Sequence, residues 1–214
     1  MRLKRVFDFS LALFGLCISA PLWIIMGFAI FIEDGLPIFY AQDRIGKDGI
    51  IFNCFKFRSM IKCADKEYGM KQSFGDKDMR YTRVGKLLRS VAMDELPQLI
   101  NILKGNMSFV GPRPLRLIEK EIGDDVYNCI FEIEGFKERS CVIPGLTGIG
   151  QIYLPHWVKR EERFKYDIWY CQNQSFKLDL YIIFVSFFIT FVGRWEAEGR
   201  RSKLLKQNFH LFIK

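Results

Sequence analysis

Residues 90–114, SVAMDELPQLINILKGNMSFVGPRP, contain the signals that decide how the centre of the chain folds. Pro97 falls where the first turn of a helix needs no backbone N–H, and Gly105 is the residue type that ends helices. A short apolar helix is therefore predicted between them, with Asp94 as its N-cap. Asp94 and Glu95, hereafter the acidic pair, stand at the start of this helix, and a Pro-Arg-Pro loop follows it.

The acidic pair has two interpretations. In the structural one, Asp94 caps the helix and Glu95 complements the helix dipole. In the chemical one, Asp94 attacks a phosphate, since a helix N-terminus favours both an ionised carboxylate and a nearby phosphate. Such an attack needs cations around the phosphate, and Mg²⁺ prefers one or two carboxylates together with substrate oxygens. Glu95 would then hold the metal.

A basic amphipathic helix is predicted just before the acidic pair. Thr82 is a suitable N-cap for the segment VGKLLRSVA (84–92), in which apolar residues recur at helical spacing. The basic residues Arg83, Lys86 and Arg89 lie elsewhere on the helix surface. They form either a solvated face or a face that meets phosphate or a membrane surface.

A β-hairpin is predicted upstream of this helix. PIFYAQ (37–42) and IIFNCFKFRSM (50–60) have the composition of strands, and the turn-rich IGKDG (45–49) joins them. Lys56 and Arg58 share a parity in the second strand, so one face there carries two cations.

The composition indicates a membrane surface or a phosphate ligand. The chain has 214 residues, which suits one domain, and 50% of them are hydrophobic, including 21 Phe. It carries 32 Lys and Arg against 24 Asp and Glu, a net charge of +8. Nucleic acid would explain the charge but not the long apolar segment near the N-terminus, so no nucleic-acid partner is expected.

Cysteine and histidine usage excludes several kinds of site. No two of the six cysteines form a C-x-x-C pair, so neither a disulfide framework nor a zinc site is indicated. Histidine occurs only at positions 156 and 210, which argues against a His-based triad or a multi-His metal centre.

Residues 9–32 form an uncharged apolar segment of 24 residues, longer than the roughly 20 that cross a bilayer as a helix. Pro21 lies near its middle and predicts a bend, and Ser19 can bond a carbonyl freed there. Hydropathy permits two structures. One is a kinked helix that spans the membrane, and the other is a re-entrant helix that enters and leaves the same leaflet.

The chain divides into three predicted regions. Residues 1–35 form the basic flank and membrane helix, 36–192 the domain that carries the acidic pair, and 193–214 a basic tail. Near the end of the second region, the apolar run 180–192 is short for a membrane span and is predicted to be a buried or interfacial helix.

Five motifs together resemble one family, the bacterial sugar transferases, which are monotopic phosphoglycosyl transferases. They surround the Pro-broken apolar segment in the family's order and spacing, and they read RVFDFSLAL (5–13), DRIGKDGIIFNCFKFRSM (43–60), TRVGKLLRS (82–90), MDELPQLINILKGNMSFVGPRP (93–114) and IPGLTGIGQ (143–151). The chain departs from the family pattern after Gly148, where IGQIYLPHW replaces W-A-Q-V-N-G-R.

The resemblance implies an enzyme that transfers a sugar 1-phosphate from a UDP-sugar to polyprenyl (undecaprenyl) phosphate and releases UMP. It also implies an α/β fold of mixed helices and a short β-hairpin, with a Pro-broken re-entrant membrane helix and interfacial amphipathic helices. The implied location is the bacterial inner membrane, in contact with phospholipid, with the catalytic domain facing the cytosol, where UDP-sugars are found.

The resemblance also implies roles for individual residues. Asp94 matches the catalytic nucleophile, which forms a covalent phosphosugar intermediate, and Glu95 matches the acid that binds the cofactor Mg²⁺. Three residues match basic positions around the phosphates: Arg58, Arg89 and Arg113. Asp167 matches an acid of possible substrate contact, and Ser19 and Pro21 match the membrane break.

Two other functions remain open on the residues alone. One is a non-enzymatic membrane adaptor whose basic helices bind anionic lipid or a partner protein. The other is a protein that spans the membrane once and carries an external domain. The sequence does not indicate which sugar is transferred or the oligomeric state.

Overall fold

The computed structural model describes residues 2–62, 64, 78–117, 130–154 and 158–191. The predicted basic tail from residue 193 lies outside them, as do residues 155–157 of the atypical segment. The described part combines α-helices with two small β-sheets, in agreement with the α/β prediction.

Seven α-helices are present in these residues. They are α1 Arg2–Asp34, α2 Arg83–Ser90, α3 Gln98–Lys104, α4 Phe136–Arg139, α5 Ile149–Tyr153, α6 Arg160–Gln172 and α7 Phe176–Phe191.

The predicted hairpin is confirmed. Strands β1 (Phe39–Ile45) and β2 (Ile51–Phe57) pair antiparallel, with Phe39 opposite Phe57 and Ile45 opposite Ile51. The short strand β4 (Leu115–Arg116) adds to the other side of β1, which gives the order β2-β1-β4 and leaves β2 at an edge. A separate parallel pair joins β3 (Ser108–Val110) to β5 (Gly145–Thr147).

The helix starts and stops agree only in part with the prediction. The Thr82 hydroxyl caps α2 by accepting a hydrogen bond from Gly85 N at 2.9 Å, and Gly105 ends α3 with a φ of 86°. The prediction that Asp94 caps the apolar helix is wrong. Asp94 lies in a 3₁₀ turn, Met93–Glu95, whose tighter hydrogen bonding precedes α3, and Pro97 at the N-cap position makes no side-chain cap.

The first helix, α1, runs without interruption through Pro21, so the predicted break is not seen. Ser19 Oγ accepts a hydrogen bond from Trp23 Nε1 at 3.0 Å and faces Leu16 O at 3.5 Å. A helix can continue through proline where its surroundings hold both halves in place, and both halves of α1 pack against the rest of the protein.

Ionic contacts tie the N-terminal end of α1 to the domain. Lys4 Nζ lies 2.6 Å from Asp179 Oδ2 in α7. Arg5 donates to the carbonyl oxygens of Ile102 and Leu103, at 2.5 and 2.8 Å, in the last turn of α3, where carbonyl groups run short of helical N–H partners.

Similar contacts hold the C-terminal end of α1. Arg58 Nη2 lies 2.9 Å from Asp34 Oδ2 and donates to Asp34 O at 2.8 Å. The Glu33 carboxylate accepts the backbone N–H groups of Arg83 and Val84, at 2.7 and 2.8 Å, at the start of α2. The same folded domain therefore binds both ends of the helix.

One face of α1 belongs to the core and the others do not. Ala12, Met26 and Ile30 are buried, whereas large apolar side chains on the remaining faces, such as Ile24 and Phe28, are exposed. By length and composition, α1 could cross a membrane.

Helix α7 has a similar division between its faces. Ile182 and Ile189 are buried against α5 and β3, while the exposed large apolar side chains are Phe176, Leu180, Phe184, Phe187 and Phe188. The predicted helix is confirmed for residues 180–191 of the run, and one side of it is buried; contact of its other side with a membrane interface stays a prediction.

The core that positions the acidic pair lies between α1, β2 and α3. It contains Ala12 from α1, Cys54 from β2, and Leu99 and Ile102 from α3, with Met107 beside them. Because burial of apolar surface drives this packing, α3 is fixed between the long helix and the edge strand.

Candidate functional site

The acidic pair stands on a turn that depends on an unusual backbone conformation. Ala92, which links α2 to the 3₁₀ turn, has φ 54° and ψ 22°, the left-handed region that residues with a Cβ rarely adopt. Such strain costs on the order of 1–3 kcal/mol and persists only where the surroundings enforce it. It allows the chain to reverse from α2 into the turn that carries Asp94 and Glu95.

Asp94 is buried, with 4% of its surface exposed. Burial raises the pKa of its carboxyl group above the ordinary value, as does the adjacent charge of Glu95, whereas Lys56, Arg89 and Arg113 act to lower it. A carboxylate with a raised pKa is more basic and hence more nucleophilic once it is ionised.

Glu95 contrasts with Asp94 in its electrostatic environment. Its Oε1 lies 2.5 Å from Lys56 Nζ and 3.6 Å from Arg113 Nη2. Burial alone would raise the pKa of Glu95, but Lys56 and Arg113 outweigh it and lower the pKa to about 2. The two acids therefore differ in affinity for a proton, which suits them to different roles.

Lys56 was not among the predicted site residues, although it makes the shortest contact to the acidic pair. The signal that could have found it is the shared parity of Lys56 and Arg58 in β2. The hairpin places Lys56 over the 3₁₀ turn, and Tyr40 is its cross-strand neighbour.

The loop that carries Arg113 is fixed on both sides. Gly145 N donates to Pro112 O at 3.0 Å, and Arg44 Nη1 donates to Pro114 O at 3.0 Å. At Gly111 a Cβ would lie 2.4 Å from Ile143 O, so glycine is required for this close approach of two backbones.

Asp167, predicted as a possible substrate contact, forms a buried ion pair with Arg139. Arg139 Nε donates to Asp167 Oδ2 at 2.9 Å, and Arg139 Nη2 donates to the backbone oxygen of Arg113 at 2.7 Å. Burial raises the pKa of Asp167 above its ordinary value, and the Arg139 guanidinium opposes that shift. In this structure Asp167 thus connects through Arg139 to the backbone of the Pro-Arg-Pro loop.

The three predicted arginines occupy different surroundings. Arg113 faces Glu95, and Arg89 lies close enough to Asp94 to influence its pKa while its guanidinium stacks on the Tyr81 ring at 4.6 Å. Arg58 instead binds the end of α1 through Asp34. The structure therefore brings two of these arginines to the acidic pair and places the third at the junction with the long helix.

The atypical segment after Gly148 forms α5. Ile149, Gly150, Ile152 and Tyr153 are buried in it, and the Tyr153 hydroxyl lies 3.2 Å from the hydroxyl of Tyr181 in α7. In the described part of this segment, the residues that depart from the family pattern therefore pack into the core.

Replacement of Lys56 by Met is expected to make the fold less sensitive to acid. In the wild type, the lowered pKa of Glu95 gives stability that is present above about pH 4.5 and is lost as the pH falls toward about 2. Without Lys56 that contribution disappears, and the pKa of Asp94 rises further, which acts in the same direction. Urea denaturation in detergent at a series of pH values measures the effect.

Lys104→Met is the matched control for Lys56→Met. This substitution also removes a positive charge in the region, but the Lys104 ammonium lies 4.8 Å from the centre of the Phe55 ring and forms no ion pair with Asp94 or Glu95. Equal acid sensitivity of the wild type and both variants would contradict the assigned electrostatics.

Replacement of Asp167 by Asn is expected to destabilise the fold by about 1–3 kcal/mol, because it leaves the buried Arg139 without its counter-ion. The free energy of unfolding, measured by urea denaturation, tests this. Glu162→Gln on the same helix is the control, since its pair with Lys165 is exposed to solvent and contributes little to stability. A loss for Asp167→Asn no larger than for the control would show that the buried pair does not hold the loop.

Comparison with known proteins identifies the family. A family model described as bacterial sugar transferase matches residues 1–193. The uncharacterized sugar transferase EpsL of Bacillus subtilis is 37% identical over 183 residues, covering 86% of this chain and 84% of the relative.

Other relatives, among them the following two, bear names that state a reaction. The undecaprenyl-phosphate galactose phosphotransferase of Salmonella typhimurium is 32% identical over 200 residues, which cover 85% of this chain and 39% of the relative. The UDP-glucose:undecaprenyl-phosphate glucose-1-phosphate transferase of Klebsiella pneumoniae is 35% identical over 199 residues, which cover 91% of this chain and 41% of the relative. The chain thus spans less than half the length of these two proteins. The family match and the similarity to EpsL nevertheless extend over most of the chain, and they confirm that it belongs to the bacterial sugar transferase family.

Proposed function

We propose that this protein transfers a sugar 1-phosphate from a UDP-sugar to polyprenyl (undecaprenyl) phosphate, giving a polyprenyl diphosphate sugar and UMP. The observation that carries the proposal is the acidic pair itself. A buried Asp94 with a raised pKa stands next to a Glu95 that Lys56 and Arg113 keep ionised. The names of the relatives support the same reaction.

The reaction would proceed by two displacements at one phosphorus atom. A carboxylate oxygen of Asp94 attacks the phosphorus that bears the sugar, the bond from that phosphorus to the bridging oxygen breaks, and UMP leaves with that oxygen. An oxygen of polyprenyl phosphate then attacks the same phosphorus and displaces the Asp94 carboxylate. Asp94 is regenerated, and the kinetics are of the ping-pong type.

The surroundings of the acidic pair suit the approach of one anion to another. Lys56, Arg89 and Arg113 all lie within electrostatic range of Asp94. Cationic groups that are already in place stabilise the charge that develops on the transferred phosphoryl group without reorganising during the reaction.

Glu95 fits the expected role in binding Mg²⁺. Its Oε1 already accepts a hydrogen bond from Lys56 Nζ at 2.5 Å, so this carboxylate is oriented towards a cation. Mg²⁺ is commonly bound by one or two carboxylates together with substrate phosphate oxygens, and Glu95 and Asp94 provide such a set. When bound there, Mg²⁺ would neutralise phosphate charge.

The contacts at both ends of α1 support a topology in which those ends stay on one side of the membrane, as the re-entrant helix expected from the resemblance requires. Lys4 at one end and Asp34 at the other both bind the folded domain. A spanning helix would place those ends on opposite sides of a hydrocarbon layer of about 30 Å, and the polar domain that contacts both ends would then have to lie within that layer. In our proposal the exposed apolar faces of α1 and α7 contact phospholipid at the inner membrane, with the site on the cytosolic side.

The alternative function is a non-enzymatic adaptor that binds anionic lipid or a partner protein through its basic helices. An adaptor function would not explain the low pKa of Glu95 or the strained backbone at Ala92, which precedes the acidic pair. Release of UMP from a panel of UDP-sugars with polyprenyl phosphate present distinguishes the two functions, because an adaptor releases none.

Replacement of Asp94 by Asn is expected to abolish UMP release and covalent labelling, because the amide is a far weaker nucleophile. With UDP-sugar labelled in the sugar-bearing phosphate and no acceptor present, the wild type should retain label after denaturation and the variant none. Asp48→Asn, at an exposed acid in the hairpin turn, is the control and should behave as the wild type. Sustained transfer by Asp94→Asn would refute the covalent scheme.

Replacement of Glu95 by Gln is expected to lower the rate and to move half-saturation by Mg²⁺ to a higher concentration, because the neutral amide is a poorer ligand. A titration of UMP release against Mg²⁺ measures both effects. Glu132→Gln alters an exposed acid and is the control. A Glu95→Gln variant that titrates with Mg²⁺ like the wild type would remove Glu95 from the metal site.

A further inference from the structure

We propose that Asn101 is a positioning residue that fixes strand β2 against the helix after the acidic pair and so holds Lys56 against Glu95. The Asn101 side chain is buried, with 1% of the residue exposed. Its Nδ2 donates to Asn53 O at 2.7 Å, and its Oδ1 accepts from Phe55 N at 2.9 Å. The kinetic part of the inference rests on the proposed transferase function.

The two contacts satisfy the open side of an edge strand. Among the strands of the described residues, the order β2-β1-β4 puts none beyond β2, so the outward N–H and C=O groups of β2 have no strand partner there. The amide of Asn101 supplies one acceptor and one donor at the spacing of a neighbouring peptide unit, and so takes the place of an additional strand at Asn53 and Phe55. Buried backbone groups left unpaired would cost free energy.

The main chain of Asn101 is fixed as well. Its carbonyl oxygen accepts hydrogen bonds from Asn106 N at 3.0 Å and Met107 N at 3.2 Å, where the chain leaves α3. The side chain consequently cannot follow a shift of β2 without disturbing the end of α3. Asn101 therefore acts as a rigid link between the strand and the helix.

This link closes a ring of contacts through the acidic pair. Phe55, which Asn101 binds, is adjacent in sequence to Lys56, and Lys56 binds Glu95. Glu95 precedes α3, which carries Asn101. The separation of the Lys56 and Glu95 side chains thus depends on the placement of β2 relative to α3, and the two hydrogen bonds of Asn101 set that placement.

A double-mutant cycle with Lys56→Met tests the proposal. Asn101→Leu removes the amide at similar volume and is expected to lower kcat about tenfold in the presence of Lys56, but less than about threefold in the Lys56→Met background. Ile102→Val is the control. Ile102 follows Asn101 in the same helix, and its side chain packs in the core and makes no hydrogen bond to β2. The effect of this variant should be the same in both backgrounds.

A second measurement does not depend on activity. The free energy of unfolding, measured by urea denaturation at neutral pH for the same four proteins, is expected to fall less on Asn101→Leu in the Lys56→Met background than with Lys56 present, because the pair of Lys56 with Glu95 that Asn101 positions is already absent there. Should Asn101→Leu not fold, Asn101→Gln displaces the amide by one methylene group and serves for both measurements.

The outcomes separate the two proposals. Equal losses for the Asn101 variant with and without Lys56, in kcat or in the free energy of unfolding, would overturn the role of Asn101. A wild-type protein that releases no UMP from any UDP-sugar would overturn the proposed transferase function, and the cycle of unfolding free energies would still decide the inference about Asn101.

Discussion

The ion pair between Lys56 and Glu95 is the interaction on which the rest of the site depends. It joins the β-hairpin to the turn that carries both acids, two parts of the chain that are 39 residues apart. It also contributes to the difference in pKa between the two acids. Lys56 and Arg113 lower the pKa of Glu95 to about 2, whereas burial keeps the pKa of Asp94 above its ordinary value. One contact thereby provides both the geometry and the electrostatic asymmetry of the acidic pair.

Local chemistry explains which parts of this arrangement the sequence could predict. Thr82 caps a helix, Gly105 ends one in the left-handed conformation, and the hairpin pairs neighbouring strands. Each of these signals acts over a few residues and can therefore be recognised from the local sequence. The partner of Lys56 and the buried bond between Arg139 and Asp167 depend on contacts between distant segments, which no local pattern encodes. The motifs that resemble the family supplied the acidic pair itself.

The prediction that Asp94 caps a helix is wrong and the predicted break at Pro21 is not seen, for a physical reason that the two positions share. Aspartate is a common N-cap residue and proline commonly breaks helices, yet tertiary packing decides the backbone conformation at both Asp94 and Pro21. The left-handed Ala92 sets the 3₁₀ turn in place of a capped helix start, and the domain holds α1 along its length. Propensity is a weak guide where the surrounding structure enforces the backbone.

The long N-terminal helix is a structural part of the domain as well as a helix long and apolar enough to cross a membrane. Its Ala12 and Met26 fill two different clusters of the core, and its Arg5 satisfies carbonyls at the end of the helix that follows the acids. A truncated protein that begins after residue 35, made in the hope of a soluble fragment, would expose that core and leave the turn that carries the acidic pair unsupported. Purification of this protein therefore calls for detergents or lipid discs around the intact chain.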